Sequence, residues 1–118
     1  MVKSKVTIPT EKLDLYDELI GSNPGIQRKG KTTPYTSLNG HMFSFLSKDG
    51  TMGLRLAKSD RGQFLEKYDT KLMEQYGRTM KEYVVVPASL LADTSELSEY
   101  LQRSHEYVST LKPKPTKR

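Results

Sequence analysis

Residues 25 to 32 read GIQRKGKT, which is G-x-x-x-x-G-K-T. That spacing lets backbone amides and a lysine cradle the phosphates of a nucleotide. The chemistry needs an apolar strand running into the loop and a helix starting at the lysine, so that the phosphate rests on a helix N-terminus. Here the entry, "LIGSNP", reads as the end of a helix followed by a turn. The exit, "KTTPYTSLNGH", contains Pro34, which drives Thr33 out of the helical region. No strand ending in an aspartate follows that would hold magnesium; "YVVVP" comes nearest and ends in Pro87. The segment is therefore expected to be a basic lead-in to a strand, with Gly25 and Gly30 serving turns and Lys31 an exposed charge.

Other chemistry is sparse. His41 follows the Asn39-Gly40 dipeptide, and His105 lies near Gln102 and Glu106. A metal wants three or four ligands in deliberate geometry, which this spacing does not supply. No serine sits in a glycine-flanked elbow with a base to activate it. There is no cysteine, which excludes disulfides, thiol catalysis and cysteine-ligated metals. The sequence thus predicts no catalytic residue, no metal and no cofactor.

The residue types that do gather are basic. Arg28, Lys29 and Lys31 precede Tyr35, and Lys48, Arg55, Lys58 and Arg61 follow. Lysines and arginines can contact phosphates, and an interleaved tyrosine can stack on a base. The candidate contacts for an anion or nucleic acid are accordingly Arg28, Lys29, Lys31, Tyr35, Arg55 and Lys58. The plainer reading, which takes precedence, is a set of separately solvated side chains. The formal charge of +5 does not by itself argue for a nucleic acid. Lys3, Lys5, Lys112, Lys114, Lys117 and Arg118 lie at the ends, leaving 13 basic residues against 14 acidic ones between Thr7 and Leu111.

These residues need a scaffold. A chain of 118 residues suits one domain. Thr10 as N-cap, Leu13, Tyr16, Leu19 and Ile20 at helical spacing, and Gly21 as the stop predict a helix over residues 10–20. Asn39-Gly40 and Asp49-Gly50 are hairpin signals. Two-residue turns at both would pair Phe45 with Leu54 and Phe43 with Leu56. Phe43, Phe45, Met52, Leu54 and Leu56 would then share one face, with Tyr35, Ser44 and Arg55 in a row across the other. "DRGQFLEKYDTKLMEQYG", capped by Ser59 or Asp60, predicts a helix of two or three turns, then a break or a second short helix ending at Gly77. Tyr83 to Val86 reads as a fourth strand that ends at Pro87 or lies at an edge. Asp93, Thr94 or Ser95 should cap a last helix that buries Leu97, Leu101, Ser104, Val108 and Leu111, with Tyr100 and Tyr107 flanking.

The order α-β-β-β-α-β-α predicts an α+β domain, an antiparallel β-meander packed with helices, over residues 10–111. Residues 1–9 are expected to be a flexible N-terminus and 112–118 a disordered basic tail. No run of apolar residues is long enough to span a membrane, and the N-terminus lacks the apolar core of a secretory signal.

Two stretches, "GHMFSFLSKDGTMGLRLAKSDRGQFLEK" and "KEYVVVPASLLADTSELSEYLQRSHEYV", resemble the N-terminal domain family of the competence regulator TfoX (Sxy), related in shape to YjbR-like domains. Met42-Phe43, Asp49-Gly50, Val86-Pro87 and Asp93 sit at the matching places, and the likeness spans roughly residues 10 to 111. Upstream the chain departs from it, with "RKGKTTPYTSLNG" where members often carry an Arg-Met-Phe-Gly-Gly-type entry strand. The resemblance implies a small α+β domain without an established active site. The leading expectation is a non-catalytic binding or regulatory module of the cytoplasm. Its expected partner is a protein or a second copy of the chain, ahead of a nucleic acid, and not a membrane. A flat apolar patch around Met42, Leu46 and Ala57 would mark the protein interface. Nucleic-acid binding through the basic loop and the Tyr35–Arg55 face is the alternative. A small enzyme acting on an anionic ligand near Lys31 and Arg55 stands last.

Overall fold

The computed structural model describes residues 9–23, 25–30, 34–47, 49–75 and 77–112. The expected flexible N-terminus up to residue 8 and the basic tail from residue 113 lie outside them, as do Lys31, Lys48 and Tyr76. Mixed helices and one antiparallel five-stranded sheet, in the order β1-β2-β3-β5-β4, make an α+β fold.

Helix α1 spans Thr10–Gly21. The cap is one residue earlier than the sequence predicts. Pro9 enters in extended geometry, its carbonyl accepting from the amides of Lys12 and Leu13 at 3.0 and 3.1 Å, and Thr10 is already helical. Gly21 is helical too. The stop comes at Ser22, where the side chains of Ser22 and Asn23 both donate to the Leu19 carbonyl, at 2.7 and 3.2 Å. The buried residues are Tyr16, Leu19 and Ile20.

Tyr16 carries a phenol into the core, so it needs a partner there. Ser44 and Thr36, both fully buried, supply it: the Ser44 hydroxyl meets the Tyr16 phenol at 2.7 Å and the Thr36 hydroxyl at 2.6 Å. Ser44→Ala strands two buried hydroxyl partners at once, and should cost about 1–3 kcal/mol in a urea melt. Burial pushes the Tyr16 hydroxyl above its ordinary value of 10.0, against the pull of the Ser44 and Thr36 hydrogen bonds. A folded-state value above the unfolded one means the contribution is complete below pH 10 and is lost as the pH climbs past it. Stability should therefore fall above that pH, and less steeply in Tyr16→Phe, as read from denaturant midpoints across the alkaline range.

Strands β1 (Tyr35–Leu38) and β2 (His41–Leu46) meet at the expected two-residue turn, with Asn39 at φ 54° and Gly40 at φ 84°. Leu38 faces His41 and Ser37 faces Met42, as the turn requires. The register then slips. Thr36 pairs with Ser44 and Tyr35 with Phe45, so Phe43 is the extra residue of a β-bulge. Strand β3 (Met52–Arg55) also departs from the prediction, by one residue: Ser44 pairs with Leu54, Phe45 with Gly53 and Leu46 with Met52. The cause is the turn. The Ser47 amide donates to the Thr51 carbonyl at 2.8 Å, leaving three positions between them, with Gly50 at φ 87°. Three-residue loops of this kind place a residue in the left-handed region before the returning strand. Asp49 fastens the loop from outside, accepting from the Ser47 hydroxyl and from the Thr51 amide. Those bonds hold its carboxyl below the ordinary carboxylate range.

Helix α2 spans Lys58–Lys67, led in by Ala57 in extended geometry and without the side-chain cap expected of Ser59 or Asp60. Beyond it the chain departs furthest from the predicted order. Asp69 turns the chain at φ 51°, and Leu72–Gln75 forms β4 in place of a second helical piece. Leu72, Met73 and Tyr76 have helical spacing, which is why the strand was hidden. Gly77 at φ 75° then returns the chain into β5 (Arg78–Val86), with Gln75 facing Arg78. β5 ends at Pro87 as expected, but lies inside the sheet between β3 and β4. A short helix α3 (Ala88–Leu91) follows, which the predicted order also lacked.

Helix α4 (Thr94–Ser109) matches its prediction except at Leu111, which lies past the helix end and is only partly buried. Asp93 is the cap, accepting from the Glu96 amide, and Leu97, Leu101, Ser104 and Val108 are buried. Asp93→Ala should lower stability by about 1 kcal/mol, measured by denaturant unfolding. The core joins Leu19, Phe64, Leu91 and Leu101, one from each helix, to Phe43, Leu46, Met52, Leu54, Leu56, Val84 and Val86 of the sheet and its β3 exit.

Candidate functional site

The register fixes which side chains leave that core. Side chains alternate along a strand, and Ser44, Leu54, Val84 and Val86 point to the helices. Their neighbours Phe45, Gly53, Tyr83 and Val85 point away. Tyr35 pairs with Phe45 and Ser37 with Met42, which places these on the same open face. Tyr35, Met42, Phe45, Tyr83 and Val85 all stand outside the helix-side core. The bulge explains why Phe43 and Phe45 part company. Two successive residues of the bulged strand turn toward the same side, so Phe43 joins Ser44 under the helices, edge-on to His105 with ring centroids 5.5 Å apart.

On the open face the aromatic rings form a stripe across the strands. Phe45 lies over Gly53, where a side chain would bring a Cβ to 2.4 Å from the Phe45 ring. Because Gly53 has none, Phe45 crosses β3 and meets Tyr83 edge-on, with centroids 5.8 Å apart. The Tyr83 phenol donates to the Met42 carbonyl at 2.5 Å. Burial raises the Tyr83 hydroxyl above its ordinary range, while the Arg55 charge works in the other direction. Phe45 is nearly buried by its neighbours, whereas Tyr35, Met42, Tyr83 and Val85 remain half-buried.

The predicted contacts are dispersed. Arg28 pairs with Asp17 on α1 at 3.4 Å. Arg55 binds Glu82 at 2.6 Å and lies against the Tyr107 ring, so its charge is already met. Lys58 is exposed at the start of α2, beside a shallow depression lined by Ala57, Ser59 and Gly62. Lys31 is outside the described residues. Lys29 and Tyr35 do come together. Their backbones exchange hydrogen bonds of 2.7 and 3.0 Å, and the Lys29 ammonium donates to the Ser37 hydroxyl at 2.9 Å. The Tyr35–Ser44–Arg55 row does not form, because the bulge and the longer turn shift both pairings and turn Ser44 into the core. Met42, Leu46 and Ala57, which together would have marked a protein interface, do not form a patch: Leu46 is buried under the helices while Met42 is on the other side of the sheet.

Charge separates by layer. Counted along the sequence, the helices with the Asp93 cap carry ten acidic side chains against five basic ones. Residues 22–57 and 68–87, the strands and their connections, carry eight basic against four acidic, with Lys31 and Lys48 among the eight.

The histidines are engaged separately, His105 with Phe43 and His41 through Nε2, which donates to the Lys112 carbonyl at 2.8 Å. Among the described residues no three His, Asp or Glu side chains gather as a metal site, and no helix is long and apolar enough to cross a membrane. Sequence reading missed Phe45, Gly53, Tyr83 and Val85 as a face. The available signals were a glycine inside a strand, which marks close approach, and the alternation in Tyr83-Val84-Val85-Val86. Comparisons with models of protein families, with curated proteins and with solved structures find no match.

Proposed function

We propose that this chain is a non-catalytic binding module of the TfoX N-terminal-like type, regulatory in role and acting in the cytoplasm, and that it docks its partner on the open face of the sheet. The observation that carries this reading is the aromatic and apolar stripe of Tyr35, Phe45, Tyr83 and Val85, set apart from the helix-side core. Half-buried aromatic and apolar groups gathered on one face are a surface suited to association. The resemblance adds support at the level of the scaffold. Its marker residues serve structure here: Asp49 and Gly50 the turn before β3, Val86 and Pro87 the end of β5, Asp93 the cap of α4.

An amide-resolved NMR titration tests the reading. The probes are a single-stranded oligonucleotide, a duplex, nucleoside triphosphates and the protein itself at rising concentration. The reading expects whichever probe binds to perturb residues 35, 37, 42, 53, 83 and 85. Perturbations confined to the depression of Asp60, Arg103 and Tyr107 on the helix layer, or turnover of a nucleotide, would contradict it.

A further inference from the structure

The open face has a chemical character that points to one class of partner, and this step rests on the docking reading above. Tyr35 and Tyr83 stand half-buried at the two ends of the stripe, on β1 and β5. Three strand spacings separate their backbones, about 14 Å, and the Tyr83 ring leans back across β3 to the Met42 carbonyl. Phe45, 5% exposed, fills the floor between them and meets Tyr83 edge-on, so the accessible rings are those of the two tyrosines. The Lys29 ammonium is carried onto this face by its bond to Ser37, at the β1 edge. Lys81, exposed, stands two residues before Tyr83 on β5. Neither lysine has a carboxylate partner among the described residues, whereas Arg28 and Arg55 do. Two half-exposed tyrosine rings, with the Lys29 ammonium at one border and Lys81 two residues along β5 from the other, complement a chain that alternates flat bases with phosphates. The acidic helix layer would repel the same chain from the other side.

We propose that this face binds single-stranded nucleic acid, with bases stacking along Tyr35 and Tyr83 and phosphates meeting Lys29 and Lys81. A duplex hides its base faces, so a single strand fits the stripe better.

Fluorescence anisotropy of labelled twelve-residue oligo-dT and oligo-U, with the full chain, tests the proposal. Two phosphate contacts give a salt slope of about −1.4, and roughly a sevenfold loss of affinity between 50 and 200 mM salt. Tyr35→Ala should weaken binding by about fivefold or more, and Tyr35→Phe should restore it, because stacking needs the ring and not the hydroxyl. Lys29→Ala should weaken binding and flatten the salt slope, while Lys67→Ala on the helix layer should change affinity less than about twofold. Circular dichroism checks that each variant is folded. Absence of binding at low salt, binding indifferent to salt, or binding untouched by Tyr35→Ala would overturn the proposal. If the oligonucleotides fail but self-association perturbs residues 35, 42 and 85, the face serves a second copy, and only the nucleic-acid assignment falls. If neither engages the face, the docking reading falls with it.

Discussion

Replacing Phe43 with alanine is expected to lower the stability of the fold by about 3–5 kcal/mol. The ring is 1% exposed and belongs to the cluster that joins the sheet to the helices. Its truncation removes the edge contact with His105 and leaves a cavity beneath α4, whose Ser104 hydroxyl reaches the Phe43 carbonyl at 3.3 Å. The size of the effect depends on the bulge. In an unbroken strand Phe43 would share a side with Phe45 and face away from the helices, and its loss would scarcely touch α4. Urea unfolding of Phe43→Ala measures the cost, and the amide spectrum locates it. Changes should concentrate around residues 101–108.

Gly53→Val is expected to cost about 1–3 kcal/mol, and to do so through one neighbour. The new Cβ would fall 2.4 and 2.6 Å from two ring atoms of Phe45. Phe45 is 5% exposed and held against Tyr83, so its ring gives way only by leaving the stripe. The double variant Gly53→Val/Phe45→Ala should therefore lose less than the two single losses added together. A double-mutant cycle reads that coupling directly. The same single variant should disturb the open face while sparing the helix-side core, which separates this clash from a general weakening of β3.

The parts of the fold that were legible in the sequence share a physical cause: local rules that nothing distant overrides. The cap and buried stripe of α4 follow from Asp93 and from the spacing of Leu97, Leu101, Ser104 and Val108. The Asn39-Gly40 turn follows from two residues that tolerate positive φ. What was hidden depends on single-residue offsets. A bulge at Phe43 and a third loop residue before Thr51 each shift a register by one, and in a strand one residue exchanges the faces. The Tyr35–Ser44–Arg55 row dissolved for that reason, and the Tyr35–Phe45–Tyr83 stripe replaced it. β4 was hidden because a short strand with apolar residues at helical spacing cannot be told from a helix by period alone. Of the candidate basic residues, Arg28 and Arg55 found carboxylates brought near only by the tertiary fold, and no sequence spacing announces Asp17 or Glu82 as their partners.

The sheet has one covered face and one open face, and the proposed binding rests on the open one. Three consecutive valines of β5 report on it: Val84 is fully buried, Val86 is 3% exposed, and Val85 between them is half-buried on the other side. The decisive measurement is the relaxation of their methyl signals by a soluble gadolinium chelate, with and without a saturating single-stranded oligonucleotide. Strong relaxation of Val85 is expected in the free protein, little at Val84 and Val86, and shielding of Val85 when the strand binds. Equal protection of all three valines in the free protein, or a bound strand that leaves Val85 as accessible as before, would contradict it.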